Sequence, residues 1–142
     1  MINLLYNNFD VGIAYCDIEH FGEINEIVKM QEYNINDLLR INFMVCTSMF
    51  RKKVWEISGG YNSNMVYGYE DWDFWLTCLE NGFYGKRISE PLFKYRKRSG
   101  SMLSQANKKE KESLAIAFLN HKKLYSDELI RWAKNFLGDK GD

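Results

Sequence analysis

Apolar positions gather into short unbroken runs near the start of the chain and into a three- and four-residue rhythm later, so the pattern shifts from strand-like to helix-like. The run 11–16, Val-Gly-Ile-Ala-Tyr-Cys, ends at polar Asp17 and predicts a buried strand. Residues 21–36 are mixed and polar, and read as a connecting excursion. Asp37 is placed to cap a short helix through Leu38, Leu39 and Ile41. Phe43 to Phe50 is apolar at almost every position and predicts a second strand. Val54, Trp55 and Ile57 then suit a helical turn stopped by Gly59-Gly60, where glycine permits the left-handed conformation that closes a helix. From Glu70 to Asn81 the stripe Trp72, Trp75, Leu76 and Leu79 predicts a helix, with Glu70, Asp71 and Asp73 in its first turn and Gly82 as its stop. Residues 86–96 predict a strand, and Pro91 confines that part to an edge or a strand start. From Gln105 onward the chain is charged and helix-forming. Phe118, Tyr125, Leu129, Trp132 and Phe136 keep helical spacing as far as Gly138, and Ser126 is placed to cap a second helix. One bent helix or an antiparallel pair follows from that spacing.

Composition narrows the class. With 142 residues, 46% apolar and 15% aromatic, the chain has material for one packed domain and is not a disordered one. Nineteen basic and nineteen acidic residues cancel, which excludes a general nucleic-acid binder, since contacting phosphates needs excess positive charge. The charge is uneven, however. Residues 1–50 carry seven acids against two bases, and residues 86–98 carry six bases against one acid. Cys16, Cys46 and Cys78 lie far apart in apolar contexts, without metal-site or disulfide spacing, and read as reduced core thiols. No basic segment followed by an apolar run opens the sequence, and no apolar stretch approaches the roughly 20 residues of a membrane helix. The expectation is a cytoplasmic protein with no membrane span.

The chemistry-bearing segment is Gly68-Tyr69-Glu70-Asp71-Trp72-Asp73-Phe74-Trp75. Adjacent carboxylates at a helix start can take a proton from a hydroxyl held nearby, and aromatic faces beside them suit the apolar faces of sugar rings. The same residues also suit an ordinary acidic first turn with tryptophans in the core, because acids in first turns are routine. Arg96 and Arg98 carry a similar pair of readings. Guanidinium groups hold a diphosphate bidentately, or they simply solvate a basic strand.

Order along the chain adds to this. Ser58-Gly59-Gly60-Tyr61-Asn62 is followed by the Glu70-Asp71 segment, then Asn81-Gly82-Phe83, then Glu90-Pro91-Leu92-Phe93-Lys94-Tyr95-Arg96. This series resembles the C-terminal part of glycosyltransferase family two, whose members have the GT-A fold. The Val11 to Cys16 strand and the Phe43 to Arg51 segment fit the same pattern, so the resemblance covers residues 9 to 104, about two thirds of the chain. It implies an inverting transfer from a nucleotide-sugar to an acceptor hydroxyl, with Asp71 as the general base and Glu70 and Trp72 at the acceptor.

The resemblance also implies a fold: an α/β domain with a partial GT-A-like mixed sheet and packed helices in residues 1–104, then a helical C-terminal tail in 105–142. The family's donor half, with its nucleotide site and Asp-x-Asp metal motif, lies upstream of the strand matched by 11–16. The expectation is therefore a half that is inactive alone, with no cofactor in this chain, although a divalent metal belongs to full-length relatives. Asp17-Ile18-Glu19 imitates the metal motif but falls after the matched strand, and Arg98 stands where many relatives have a metal-binding histidine. His20 and His121 match nothing in the family pattern. The expected partners are a carbohydrate acceptor and a second copy of the chain. Two other classes stay open: a non-catalytic carbohydrate- or partner-binding module, and a self-associating remnant.

Overall fold

The structure, a computed structural model, describes residues 1–99 and 109–138. Its elements in chain order are α1 (Ile2–Asn7), β1 (Val11–Gly22), β2 (Glu26–Val28), α2 (Ile35–Leu38), β3 (Met49–Phe50), α3 (Lys52–Ser58), α4 (Glu70–Glu80), β4 (Tyr84–Lys97), α5 (Glu110–Asn120) and α6 (Asp127–Gly138). The fold is mixed α/β. The expected boundary between residues 104 and 105 lies outside the described residues.

β1 is the spine of the sheet. It pairs in parallel with β4 from Val11↔Tyr84 to Gly22↔Lys97. Two short strands pair with it antiparallel, β3 at Ile13↔Phe50 and Ala14↔Met49, and β2 at Ile18↔Val28 to His20↔Glu26. The sheet is thus mixed, as expected. The register between β1 and β4 shifts around Asp17, which faces Pro91. A proline has no N–H for the ladder, so it sits where the ladder is already broken. β4 has β1 as its one strand partner among the described residues, an edge position consistent with that proline.

β1 runs six residues beyond its expected end because Asp17 is neutralised in place. Arg87 on β4 grips both carboxylate oxygens of Asp17 through Nε and Nη2 at 2.7 Å, and the Met30 N–H donates to Oδ1 at 2.9 Å. The guanidinium holds the Asp17 carboxyl below its ordinary range, with the Met30 N–H adding to the effect. Arg87 also reaches Glu32 at 2.7 Å. A second difference concerns 43–50, where only Met49 and Phe50 join the sheet. Phe43 and Met44 are buried, but the backbone there serves other partners. Met44 O accepts from the Trp75 indole at 3.0 Å, and a turn at Val45–Ser48 closes on itself. A third concerns α2, whose cap is Asn34 rather than Asp37. Asn34 Oδ1 accepts from the Asn36 and Asp37 N–H groups at 2.8 and 3.3 Å. Cys46 is exposed, unlike buried Cys16 and Cys78, which corrects the expectation of three core thiols.

α1 has no local signature in the sequence. The Arg51 guanidinium binds its end from 46 and 43 residues away, donating to Leu5 O and to Asn8 O at 2.9 Å, and reaches Val11 O at the start of β1 at 3.0 Å. α3 closes at Gly59-Gly60, both at φ 76°, and a Cβ on Gly60 would lie 2.6 Å from the Trp55 ring. Only glycine fits there.

The core lies between β1 and α4. α4 is buried on most of its surface rather than along one stripe: Trp72, Phe74, Trp75, Leu76 and Cys78 are all inaccessible. Phe74 and Trp75 pack on Phe50 at 5.2 and 6.0 Å between ring centroids. The C-terminal residues form two helices, and Ser126 caps α6 through the Leu129 N–H at 3.4 Å. Phe118 meets Tyr125 and Trp132, so part of the stripe packs on the chain's own α5, while Leu129 and Trp132 stay more than a third exposed. These helices belong to the main core. Ala117 is fully buried in it, and the Tyr125 hydroxyl donates to Leu39 O at 3.1 Å.

A polar clamp locks the same helices onto α4. Asp73, fully buried, accepts from Asn62 and Asn120 at 2.6 Å each and from His121 Nε2 at 3.1 Å, while His121 Nδ1 lies 3.0 Å from Glu80. Both ring nitrogens face carboxylates, which fits a doubly protonated imidazolium. Burial alone would drive the proton off, but Asp73 and Glu80 outweigh it and raise the His121 pKa.

Two outcomes follow. Arg87→Met leaves the Asp17 carboxylate without its bidentate partner and should lower the denaturation midpoint. For His121 the folded pKa exceeds the unfolded one. Its stabilising contribution is therefore complete below the unfolded value of about 6.5 and drains away as pH rises through the folded value. Thermal melts at increasing pH above 6 should show falling stability, and His121→Gln should flatten that slope.

Candidate functional site

The first turn of α4 is set by its entry. Gly68 at φ 99° and Tyr69 at φ 67° take consecutive left-handed conformations, and Tyr69 is the one non-glycine residue with positive φ among the described residues. Such a conformation costs about 1–3 kcal/mol and persists only where the surroundings enforce it. Here the Asp73 N–H bonds Tyr69 O at 3.0 Å, and the Tyr69 ring meets Trp72 edge to face at 6.4 Å. The sharp entry leaves Glu70 and Asp71 partly accessible at the helix start, while the following residues turn inward.

Asp71 is held from two sides through a single oxygen. Its Oδ1 accepts from its neighbour's backbone N–H, on Trp72, at 2.8 Å and from Asn42 Nδ2 at 3.0 Å. Partial burial raises the Asp71 pKa. Asn42 and the Trp72 N–H pull it back, and the charge of Glu70 pushes it up again. Around it lie Cys46 and Tyr61. Partial desolvation raises the pKa of both, and the charges of Asp71 and Glu70 add to the rise. Tyr61 is 42% exposed and Trp55 39% exposed, with rings edge to face at 5.3 Å, giving an accessible aromatic shelf.

The structure places the expected residues unequally. Glu70 and Asp71 stand side by side, partly accessible, at the start of α4. Trp72 does not face an acceptor. It is 1% exposed, and its indole N–H is consumed by Leu38 O at 2.7 Å, so its ring is core material. Arg96 and Arg98 are exposed. Arg96 lies over the Phe21 ring at 5.2 Å and pairs in register with Phe21. Among the described residues, no hydrogen bond or ion pair joins either arginine to Asp71. The Asp17-Ile18-Glu19 carboxylates do not fit a metal either: Arg87 saturates Asp17, and Lys94 pairs with Glu19 at 3.2 Å.

Residue-level reading missed Asn42, the accessible role of Tyr61 with Trp55, and the proximity of Cys46. Nothing local marks Asn42, whose contact with Asp71 spans 29 positions. No family model, curated protein or solved structure matches the chain.

An ionised Asp71 is held at a cost to folding, since its pKa is higher in the folded chain than in the unfolded one. That cost is complete above the folded value and vanishes below the unfolded value of about 3.9. Asp71→Asn should therefore raise the melting temperature at pH 7, and the advantage should disappear near pH 3. Melts of both proteins at the two pH values check this.

Proposed function

We propose that the first turn of α4 is the acceptor-activating side of an inverting glycosyl transfer, with Asp71 as general base. The observation that supports this reading best is the state of Asp71: a partly accessible carboxylate at a strained helix entry, with a raised pKa and one oxygen committed to N–H donors. A raised pKa makes a carboxylate a stronger base near neutral pH. Glu70 beside it adds negative charge and a second acceptor for hydroxyl groups. The order of motifs shared with glycosyltransferase family two supports the same reaction class.

In that reaction the base removes the acceptor hydroxyl proton as the oxygen attacks the anomeric carbon. The sugar–phosphate C–O bond breaks, and its electron pair leaves with the nucleoside diphosphate. The configuration at the anomeric carbon inverts. This chain's residues supply the base and the acceptor surface. With Trp72 buried, the accessible aromatic shelf of Trp55 and Tyr61 takes over the ring-stacking part assigned to Trp72. No step is assigned to a metal, because Asp17 and Glu19 are engaged by cations of the chain itself.

The same shelf favours a second reading, a carbohydrate-binding module without turnover. Transfer separates the two. With the chain joined to a compatible nucleotide-sugar-binding half, Asp71→Asn should lower turnover about 10²–10⁴-fold while the circular dichroism spectrum is unchanged. Near-parental turnover in Asp71→Asn removes Asp71 as the base, and sugar binding without transfer favours the module.

A further inference from the structure

A carboxylate offers a proton two oxygens, and the packing around Asp71 discriminates between them. Oδ1 receives the Trp72 N–H at 2.8 Å and Asn42 Nδ2 at 3.0 Å, and no other described residue hydrogen-bonds Oδ2. An oxygen already accepting two N–H bonds is poorly placed to take a third proton, so the basic lone pairs are those of Oδ2.

Asn42 is brought to this point by α4 itself. It lies in an irregular stretch between α2 and β3, bracketed by two indole hydrogen bonds from α4. Trp72 Nε1 donates to Leu38 O at 2.7 Å, four residues before Asn42, and Trp75 Nε1 donates to Met44 O at 3.0 Å, two residues after it. The Tyr125 hydroxyl holds Leu39 O at 3.1 Å as a third tie. The segment that carries Asn42 is therefore stapled to the helix that carries Asp71.

The amide's orientation is also informative. Asn42 Oδ1 is buried with no hydrogen-bond partner, one of two such side-chain atoms among the described residues. Leaving a buried acceptor unpaired costs about 1–3 kcal/mol. Rotating the amide by 180° would exchange its ends, but would set Asn42 Oδ1 against Asp71 Oδ1, two acceptors facing each other without a proton between them. Asn42 thus keeps its donor on Asp71 at the expense of its own carbonyl.

We infer that Asn42 is the positioning residue of this site: it anchors Asp71 through Oδ1 and so commits Oδ2 as the oxygen that receives the acceptor's proton. The inference rests on the reading of Asp71 as a base, but its physical content, a donor that favours the ionised carboxylate, is measurable without any transfer reaction. Asn42→Leu keeps the branched outline of the side chain and removes the donor. Asn42→Ala is the second variant should leucine disturb the fold.

The experiment is a pH titration of the full chain with ¹³C-labelled aspartate, following the Asp71 carboxyl carbon, assigned by its loss in Asp71→Asn. Removal of the Asn42 donor should make Asp71 about tenfold weaker as an acid, moving its midpoint to higher pH, while the Asp17 resonance stays in place. In a transfer assay the acidic limb of the pH–rate profile should move in the same direction. An Asp71 midpoint that is unchanged in a folded Asn42 variant overturns the inference. Failure of the glycosyl-transfer reading is told apart from that result, because the midpoint then moves while Asp71→Asn leaves turnover at the parental level.

Discussion

Two indole hydrogen bonds hold the architecture at its least regular place. Residues 39–48 have little repetitive structure of their own, yet they contribute Phe43 and Met44 to the core and Asn42 to the site. A segment of that kind must find partners for its backbone groups when it is buried. Trp72 and Trp75 supply them, at Leu38 O and Met44 O, and each brings a large apolar surface with its single donor. Because the two tryptophans are three residues apart on α4, their N–H groups meet the segment at two points. Two points fix both its position and its direction.

The strand–helix contact depends on the same arrangement. Phe50 reaches Phe74, Trp75 and Trp55 because β3 follows directly from the stapled segment, and Arg51 just beyond it binds the carbonyls at the end of α1. Fully buried Asp73, in the first turn of α4, and partly exposed Glu80, at its last residue, both take His121. The clamp would be unfavourable if any member lacked a partner, since a buried charge without compensation is costly. Here Asp73 has three donors, and His121 has a carboxylate on each nitrogen. Helix α5 is thereby bound to the main core by charge as well as by Ala117 and Phe118.

How much of this the sequence disclosed depends on how local the cause was. The α3 turn with its Gly59-Gly60 stop, α4 between its acidic start and Gly82, and the Pro91 strand follow from residues a few positions apart, and all three were legible. The misplaced features have distant causes. β1 passes Asp17 because Arg87, 70 positions away, neutralises it, and 43–48 leave the sheet because an indole 31 positions away takes a carbonyl. At the candidate site, composition left Glu70-Asp71 open between chemistry and an ordinary acidic first turn, and motif order alone singled the pair out. Trp72 lies in the apolar stripe that the spacing predicts as buried, and it is buried; its place at the acceptor came from the resemblance alone. Asn42 carried no signal, since an isolated asparagine between Ile41 and Phe43 looks the same whether or not a carboxylate 29 positions on depends on it.

Asp71 and Asp73 show why one acid of a cluster is suited to chemistry and its neighbour to structure. Both are in the first turn of α4, two residues apart, and both accept from an asparagine. Asp73 is fully buried, and both of its oxygens are occupied, one by Asn62 and the other by Asn120 and His121. A carboxylate so enclosed has nowhere to place an incoming proton without breaking a bond that holds α5. Asp71 is partly accessible, with both donors on Oδ1, so protonation at Oδ2 breaks nothing. The difference comes from the entry into the helix. Left-handed Gly68 and Tyr69 start α4 at the surface and turn it inward within one turn, which leaves the second residue accessible and buries the fourth. The strain at Tyr69 and the unpaired carbonyl of Asn42 are then linked costs of a single arrangement, one that keeps an ionisable oxygen free at the edge of a closed core.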